Sequence, residues 1–264
     1  MQARKQTQKL ILSDTDLVSR CRAITVPGSY SVLPRANRVM HTLPNVQGGQ
    51  AQVLAAPPLS SYYVAHELVL GPNGGSVAPI DENLEQFLYV LEGELNLSLD
   101  GKPHQLTDGC YSWLPPLRPY EFVNKGGSTS RVLWLRRKYK PLADHAVPEP
   151  IVAHERDAEP FPEDTYMEQH LVPYEDIAHD MAFNLLTFEP GEYFPFVESH
   201  IMEHALYMLK GTAIYVLNGD YHEVQQDDFI YMAAYCPQFA FATGWGQMRY
   251  MVYKDVNRDY DWTL

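Results

Sequence analysis

The chain is poor in what several protein classes depend on. Its three cysteines, Cys21, Cys110 and Cys236, are odd in number and far apart. They make neither a CxxC metal pair nor a disulfide framework, so a reducing compartment is the default expectation. Cys236 lies two residues before Gln238 and reads as a buried apolar thiol. Basic charge is also scarce, with 20 Lys and Arg against 33 Asp and Glu and a formal net charge of −13. Nucleic-acid and anionic-membrane surfaces need clustered Lys and Arg, so neither partner is expected. Long apolar runs are missing too. Leu10-Ile11-Leu12 stops at Ser13 and Asp14, too short for a signal sequence, and no run approaches a membrane span. The expectation is a soluble, cytoplasmic protein.

What is present is β-forming sequence cut by turns. Hydrophobic residues make up 45%, and 20 Pro with 16 Gly punctuate short alternating runs. Residues 1 to about 60 are mixed and read as an arm of short extended pieces. Strands are expected at 62–70, 86–91, 94–99, 110–114, 121–124 and 131–139, then at 181–188, 205–209, 213–217, 229–232, 239–242 and 248–254. Asp100-Gly101 sits between two such runs, the mark of a type I′ hairpin. Between the two sets, Pro141, Pro148, Pro150, Pro160 and Pro162 in an acid-rich stretch read as a linker.

The two sets superpose at one offset of 118 residues, which carries Gly93 onto Gly211 and Asp100-Gly101 onto Asn218-Gly219. The same shift aligns 88–93 with 206–211, Trp113 with Tyr231, and 131–134 with 249–252. Turns and strands agreeing at a constant shift indicate a tandem repeat of one β-unit, a sandwich or barrel in each copy. The domains expected are residues 1–142 (arm plus first barrel), 143–164 (Pro-rich linker) and 165–264 (second barrel).

The second copy carries the chemistry. Glu198, His200 and His204 all fall at even positions, so an extended 198–204 segment presents them on one face, with Ser199, Ile201 and Glu203 on the other. A carboxylate and two imidazoles on a β-scaffold suit a divalent metal. The bland alternative is a polar strand end with two solvated histidines. Each copy resembles a cupin, a small jelly-roll barrel whose first motif runs here as Gly191, Glu198, His200, His204, Gly211 and whose second motif ends at Gln238. The offset sets Glu198, His200, His204 and Gln238 against Ile80, Glu82, Gln86 and Tyr120. One metal per chain is therefore expected, in the C-terminal barrel only. Two imidazoles, a carboxylate and an amide without thiolate suit Mn²⁺ best, ahead of Fe²⁺, Ni²⁺ or Zn²⁺. Tyr250, Val252 and Lys254 alternate on the last strand. If Lys254 points inward it makes the site one for a carboxylate; otherwise it reaches out to water at the strand end.

Nearly the whole chain from Tyr62 resembles one bicupin family, (S)-ureidoglycine aminohydrolase of purine (allantoin) catabolism. The likeness rests on Glu-x-His-x-x-x-His in the second cupin only, on Gln238, on 86–93 and on the ending 253–259. It implies that Glu198, His200, His204 and Gln238 bind Mn²⁺ and that Glu198, Gln238, Tyr250 and Lys254 contact the substrate. It further implies catalytic roles for Glu198, in proton transfer, and Lys254, and a homo-oligomer. The implied reaction converts ureidoglycine to ureidoglycolate and ammonia. The competing readings are another metal-dependent cupin enzyme, a dioxygenase or isomerase of a small carboxylic acid, and a non-catalytic bicupin that binds a small acid.

Overall fold

Alternation fixes which face of a strand is apolar, and here it builds three cores. The computed structural model describes residues 21–59, 61–80, 82–173 and 175–255. After β1 (Ile24–Val26), β2 (Tyr30–Leu33) and β3 (Met40–His41), the first barrel comprises β4 (Val46–Ala55), β5 (Tyr63–Ser76), β6 (Glu85–Glu92), β7 (Glu94–Leu99), β8 (Lys102–Thr107), β9 (Cys110–Leu114), β10 (Tyr120–Val123) and β11 (Ser130–Arg137). The strands β12 (Ile151–His154) and β13 (Phe161–Pro162) follow. The second barrel comprises β14 (Met167–His170), β15 (Met181–Phe188), β16 (His204–Lys210), β17 (Thr212–Leu217), β18 (Asp220–Gln225), β19 (Phe229–Met232), β20 (Gln238–Thr243) and β21 (Met248–Asp255). Among the described residues there are three 3-10 turns and no α-helix, so no helix is long and apolar enough to cross a membrane.

Even positions such as Leu68, Leu88 and Val132 fill the first barrel, and Leu186, Leu206, Ile230 and Val252 fill the second. Odd positions on the same strands, including Ala65, Phe87, Trp113, Phe183, Tyr207 and Tyr253, form the core between the barrels. Phe87 and Phe183 stack there with ring centroids 3.5 Å apart. The barrels thus pack sheet against sheet, and each keeps a second face for its own interior.

All twelve expected strands are present, with shifts of at most two residues at their ends except in β5. That strand runs on to Ser76 through Gly71-Pro72-Asn73-Gly74-Gly75, a stretch whose residue types signal a turn but which pairs with β4 and β10. Asp100 and Gly101, like Asn218 and Gly219, have positive φ, as a type I′ turn demands. Gly211 (φ +80) is fixed by crowding as well, since a Cβ would stand 2.3 Å from the Gln247 carbonyl oxygen. The strands β8 and β18 were not anticipated. Each buries a single apolar side chain, Leu106 or Val224, among polar neighbours, too little to print an alternating pattern.

The linker is more structured than its prolines suggest. Its β12 pairs antiparallel with β9 of the first barrel, Ile151 opposite Trp113. In the N-terminal arm, β2 pairs with β19 of the second barrel, Ser31 opposite Tyr231. Trp113 and Tyr231 are equivalent at the 118-residue offset, so each barrel lends a preceding strand to the other. The boundaries at 142 and 165 follow the chain, whereas the hydrogen bonding crosses them. Residues 1–20 of the arm lie outside the described residues.

Candidate active site

Two isolated bridges join the segment before β16 to β20 in the second barrel, Tyr193 to Phe241 and Glu198 to Gln238, and the second of them bears on the site. Each backbone N–H of the pair donates to the other's carbonyl at 2.9 Å. This exchange places both side chains at one end of the barrel. Residues 199–203 then leave extended geometry, with the Tyr235 N–H donating to the His200 carbonyl at 2.7 Å, and β16 starts only at His204. The segment is therefore a bridge, a loop and a strand start rather than one strand. Of the residues expected on its outer face, Glu203 is buried towards the other barrel, where its carboxylate accepts from the Tyr62 N–H at 3.0 Å.

His204 lies between Met232 and Lys254 in the ladder, and Lys254 in turn pairs with Ala182. A cavity at this end is lined by Glu198, His204, Gln238, Tyr250 and Lys254, together with Tyr166, Glu168, Leu186, Phe194, Tyr215 and Val252. Five of the six residues singled out from sequence thus line one space. His200 is outside that lining but stands edge-on to His204, with ring centroids 4.6 Å apart. Lys254 is on the inward face, beside the cavity.

The electrostatics suit lone-pair donation. Burial, then the Lys254 charge, then His200 push the His204 pKa well below the usual imidazole value. Burial and Lys254 lower His200 as well. Both rings are therefore neutral near pH 7. Burial raises the Glu198 pKa, with Lys254 opposing and Glu168 adding to the rise. The phenol of Tyr250 is fully buried, which keeps it protonated and a donor.

His204 Nε2 and His200 Nδ1 are buried and have no hydrogen-bond partner among the described residues. An orphaned imidazole nitrogen is costly unless something coordinates it. Gln238 Nε2 is 2.8 Å from His204 Nδ1, and its Oε1 accepts from the Tyr215 hydroxyl at 3.1 Å. Turning the amide by half a revolution lets Nδ1–H donate to Oε1 and leaves Nε2 as a free lone pair. No three His, Cys, Asp or Glu side chains among the described residues are drawn together as a ready-made metal cluster. Two orphaned imidazole nitrogens, a carboxylate and an amide at one barrel end nevertheless fit a divalent cation.

Comparison with known proteins sharpens this. The cupin domain profile matches residues 66–136, the first barrel. The (S)-ureidoglycine aminohydrolase of Escherichia coli K12 is 29% identical over 242 residues, covering 90% of this chain and 92% of the relative. The enzyme of the same name from Arabidopsis thaliana is 27% identical over 234 residues, covering 87% and 76%. A solved structure from Pseudomonas aeruginosa, provisionally named a glyoxylate-induced protein, is 38% identical with a TM-score of 0.84, covering 92% of this chain and 93% of its own. The chain belongs to the (S)-ureidoglycine aminohydrolase family of bicupins. The family's ending resembled in 253–259 is described here only as far as Asp255, and 256–259 lie outside the described residues.

Three side chains at this aminohydrolase-family site escaped the sequence reading: Tyr166, Glu168 and Tyr215. Tyr166 and Glu168 lie where turn-rich sequence hid the start of β14. Tyr215 was read only as part of an apolar run. The 118-residue offset does not find them, since it carries Glu168 onto Gln50, whereas the ladder sets Ala51 opposite Leu68 as it sets Glu168 opposite Leu186. Cys236 is buried, but it packs by Ser29 and Pro237 rather than lining the cavity.

Proposed function

We propose that this chain is a Mn²⁺-dependent (S)-ureidoglycine aminohydrolase with one active site, in the second barrel. The observation that carries the reading is the convergence of Glu198, His204, Gln238, Tyr250 and Lys254 on one cavity. Glu198, His200, His204 and Gln238 would hold the ion, Gln238 exchanging its present hydrogen bonds for a metal–oxygen bond. A bound divalent cation supplies Lewis-acid polarisation of an amine or of water.

The remaining work falls to the protein. Lys254 neutralises and positions the substrate carboxylate, and Tyr250 donates a hydrogen bond that fixes its orientation. Glu198, with its pKa raised by burial, carries a proton between the water that adds and the amine that leaves. The α-carbon loses its C–N bond to ammonia and gains a C–O bond from water, giving ureidoglycolate. The likeness to the two named aminohydrolases supports this substrate. The resemblance also makes a homo-oligomer the assembly we propose, to be read by sedimentation.

The test is ammonia release from freshly generated ureidoglycine by protein loaded with Mn²⁺, lost on chelation and restored by the ion. Absence of release overturns the reading. Turnover that requires O₂ would place the site with dioxygenases instead, and tight binding without turnover would make it a small-acid binder.

A further inference from the structure

The cavity contains a second carboxylate, Glu168, to which the reading above gives no task. Its neighbours hold only one of its oxygens. Asn184 Nδ2 donates to Oε1 at 2.6 Å, and His170 Nε2 is 3.4 Å from the same atom. Glu168 Oε2 has no hydrogen-bond partner among the described residues, although the residue is only 8% exposed. A carboxylate oxygen left free at a cavity wall is available to a donor on a ligand.

Register places that oxygen relative to Lys254. Across neighbouring strands Glu168, Leu186 and Tyr250 form one row, and Ala182, Lys254 and His204 form a row four residues away. Four residues along a strand is about 13 Å, and the side chains of Glu168 and Lys254 line the same cavity from these two rows. A small ligand whose carboxylate meets Lys254 therefore extends its other end towards Glu168. The other acceptors are already engaged, since Gln238 Oε1 and the Glu198 carboxylate belong to the proposed metal set. The first barrel has Ala51 at the corresponding place, so the carboxylate is specific to the armed copy.

We infer that Glu168 is a substrate-binding residue that accepts the ureido N–H groups and so selects ureido acids over other small carboxylates. Asn184 and His170 are positioning residues that fix Oε1 and leave Oε2 to the ligand. This rests on the proposed activity and names how its substrate is recognised. A carboxylate held by a buried amide is also favoured in its charged form. Burial opposes ionisation, but His170, Lys254 and Asn184 outweigh it and lower the Glu168 pKa.

The experiment compares two probes on metal-loaded protein, N-carbamoylglycine and its isostere 4-oxopentanoate, in which the ureido nitrogens are carbons. The wild type should bind the ureido acid about 10- to 100-fold more tightly, the worth of a charge-assisted hydrogen bond. Glu168→Gln should bring that ratio to within about three-fold of unity, and Glu168→Asp should lower it partway, with metal content and melting temperature unchanged. Lys254→Met should weaken both probes alike and keep the ratio. A wild type that does not distinguish the probes, or a Glu168→Gln protein that keeps the wild-type ratio, overturns the assignment. Ammonia release by the wild type is measured beside it. Its absence sinks the aminohydrolase reading, whereas its presence with an unchanged ratio in Glu168→Gln sinks only the role of Glu168.

Discussion

At the same place in each barrel one backbone bridge joins two segments: Ile80 to Tyr120 in the first, Glu198 to Gln238 in the second. The backbone is alike and the chemistry is opposite. In the first barrel Gln86 Oε1 accepts from both the Tyr120 hydroxyl and Trp134 Nε1, the latter at 2.9 Å. Ile80, Tyr120 and Trp134 belong to the packed core, and the Arg136 guanidinium lies 4.0 Å over the Trp134 ring and 3.6 Å from Glu82. Every position matching a proposed ligand-facing residue of the second barrel is here consumed by apolar packing, hydrogen bonding or ion pairing. In the second barrel Val252 replaces the indole, and two imidazole nitrogens are left without partners. A site is thus made as much by what leaves space as by what donates to it.

The largest effect expected is at His204. His204→Ala should lose metal and lower kcat/KM by at least about a thousand-fold, roughly 4 kcal/mol, while circular dichroism shows the fold retained. Elemental analysis of the wild type should give one ion per chain. Two ions, or retention of metal by the variant, would break the contrast between the barrels.

Lys254 and Arg136 occupy equivalent ends of their strands. Lys254→Met should cost about 1.5–3 kcal/mol in kcat/KM, roughly one to two decades, without changing metal content. Arg136→Met should leave turnover within about two-fold, because its partners are Trp134 and Glu82. Steady-state kinetics of the pair would reverse the assignment of the active barrel if the second variant proved the damaging one.

Trp134→Phe sharpens the view of the first barrel as filled scaffold. It removes a buried donor to Gln86 and some volume, so melting should report about 1–2 kcal/mol of lost stability. The kcat/KM of the folded protein should be unchanged.

The smallest effect tests a point where the barrels agree. Glu85 and Glu203 are equivalent at the offset, and both are buried carboxylates at the inter-barrel face. The Glu85 pKa is raised to about 8 by burial, with Arg137 opposing and Asp180 adding. Its folded pKa lies above the unfolded value, so the native state holds a proton that the unfolded chain has lost. Stability should therefore fall as pH rises from about 5 towards 8. Melting temperatures of Glu85→Gln across that range should show a shallower decline. An equal slope would place the sensitivity elsewhere.

The repeat, the strand positions and the absence of histidine at the first copy's four matching positions were legible because local pattern carries them. Alternation tells which residues share a face, and positive-φ turns need Gly, Asn or Asp. A one-offset match of Gly93 with Gly211 needs no knowledge of contacts. What distant segments do to one another was not legible. The exchange of β2 and β12 between barrels joins residues far apart in sequence, and nothing local to Ser31 or Ile151 names its partner. Glu203, by parity a solvent-side residue, is buried because the other barrel covers it. Glu168 is silent in sequence, because a lone acid after a proline-rich stretch looks like any surface carboxylate. Sequence by itself determined that Glu-x-His-x-x-x-His occurs in the second copy alone, since residue type and spacing are read directly from the chain. Only the tertiary structure decided that Glu168 and Lys254 line one cavity, because strand pairing rather than spacing along the chain sets which side chains share a space.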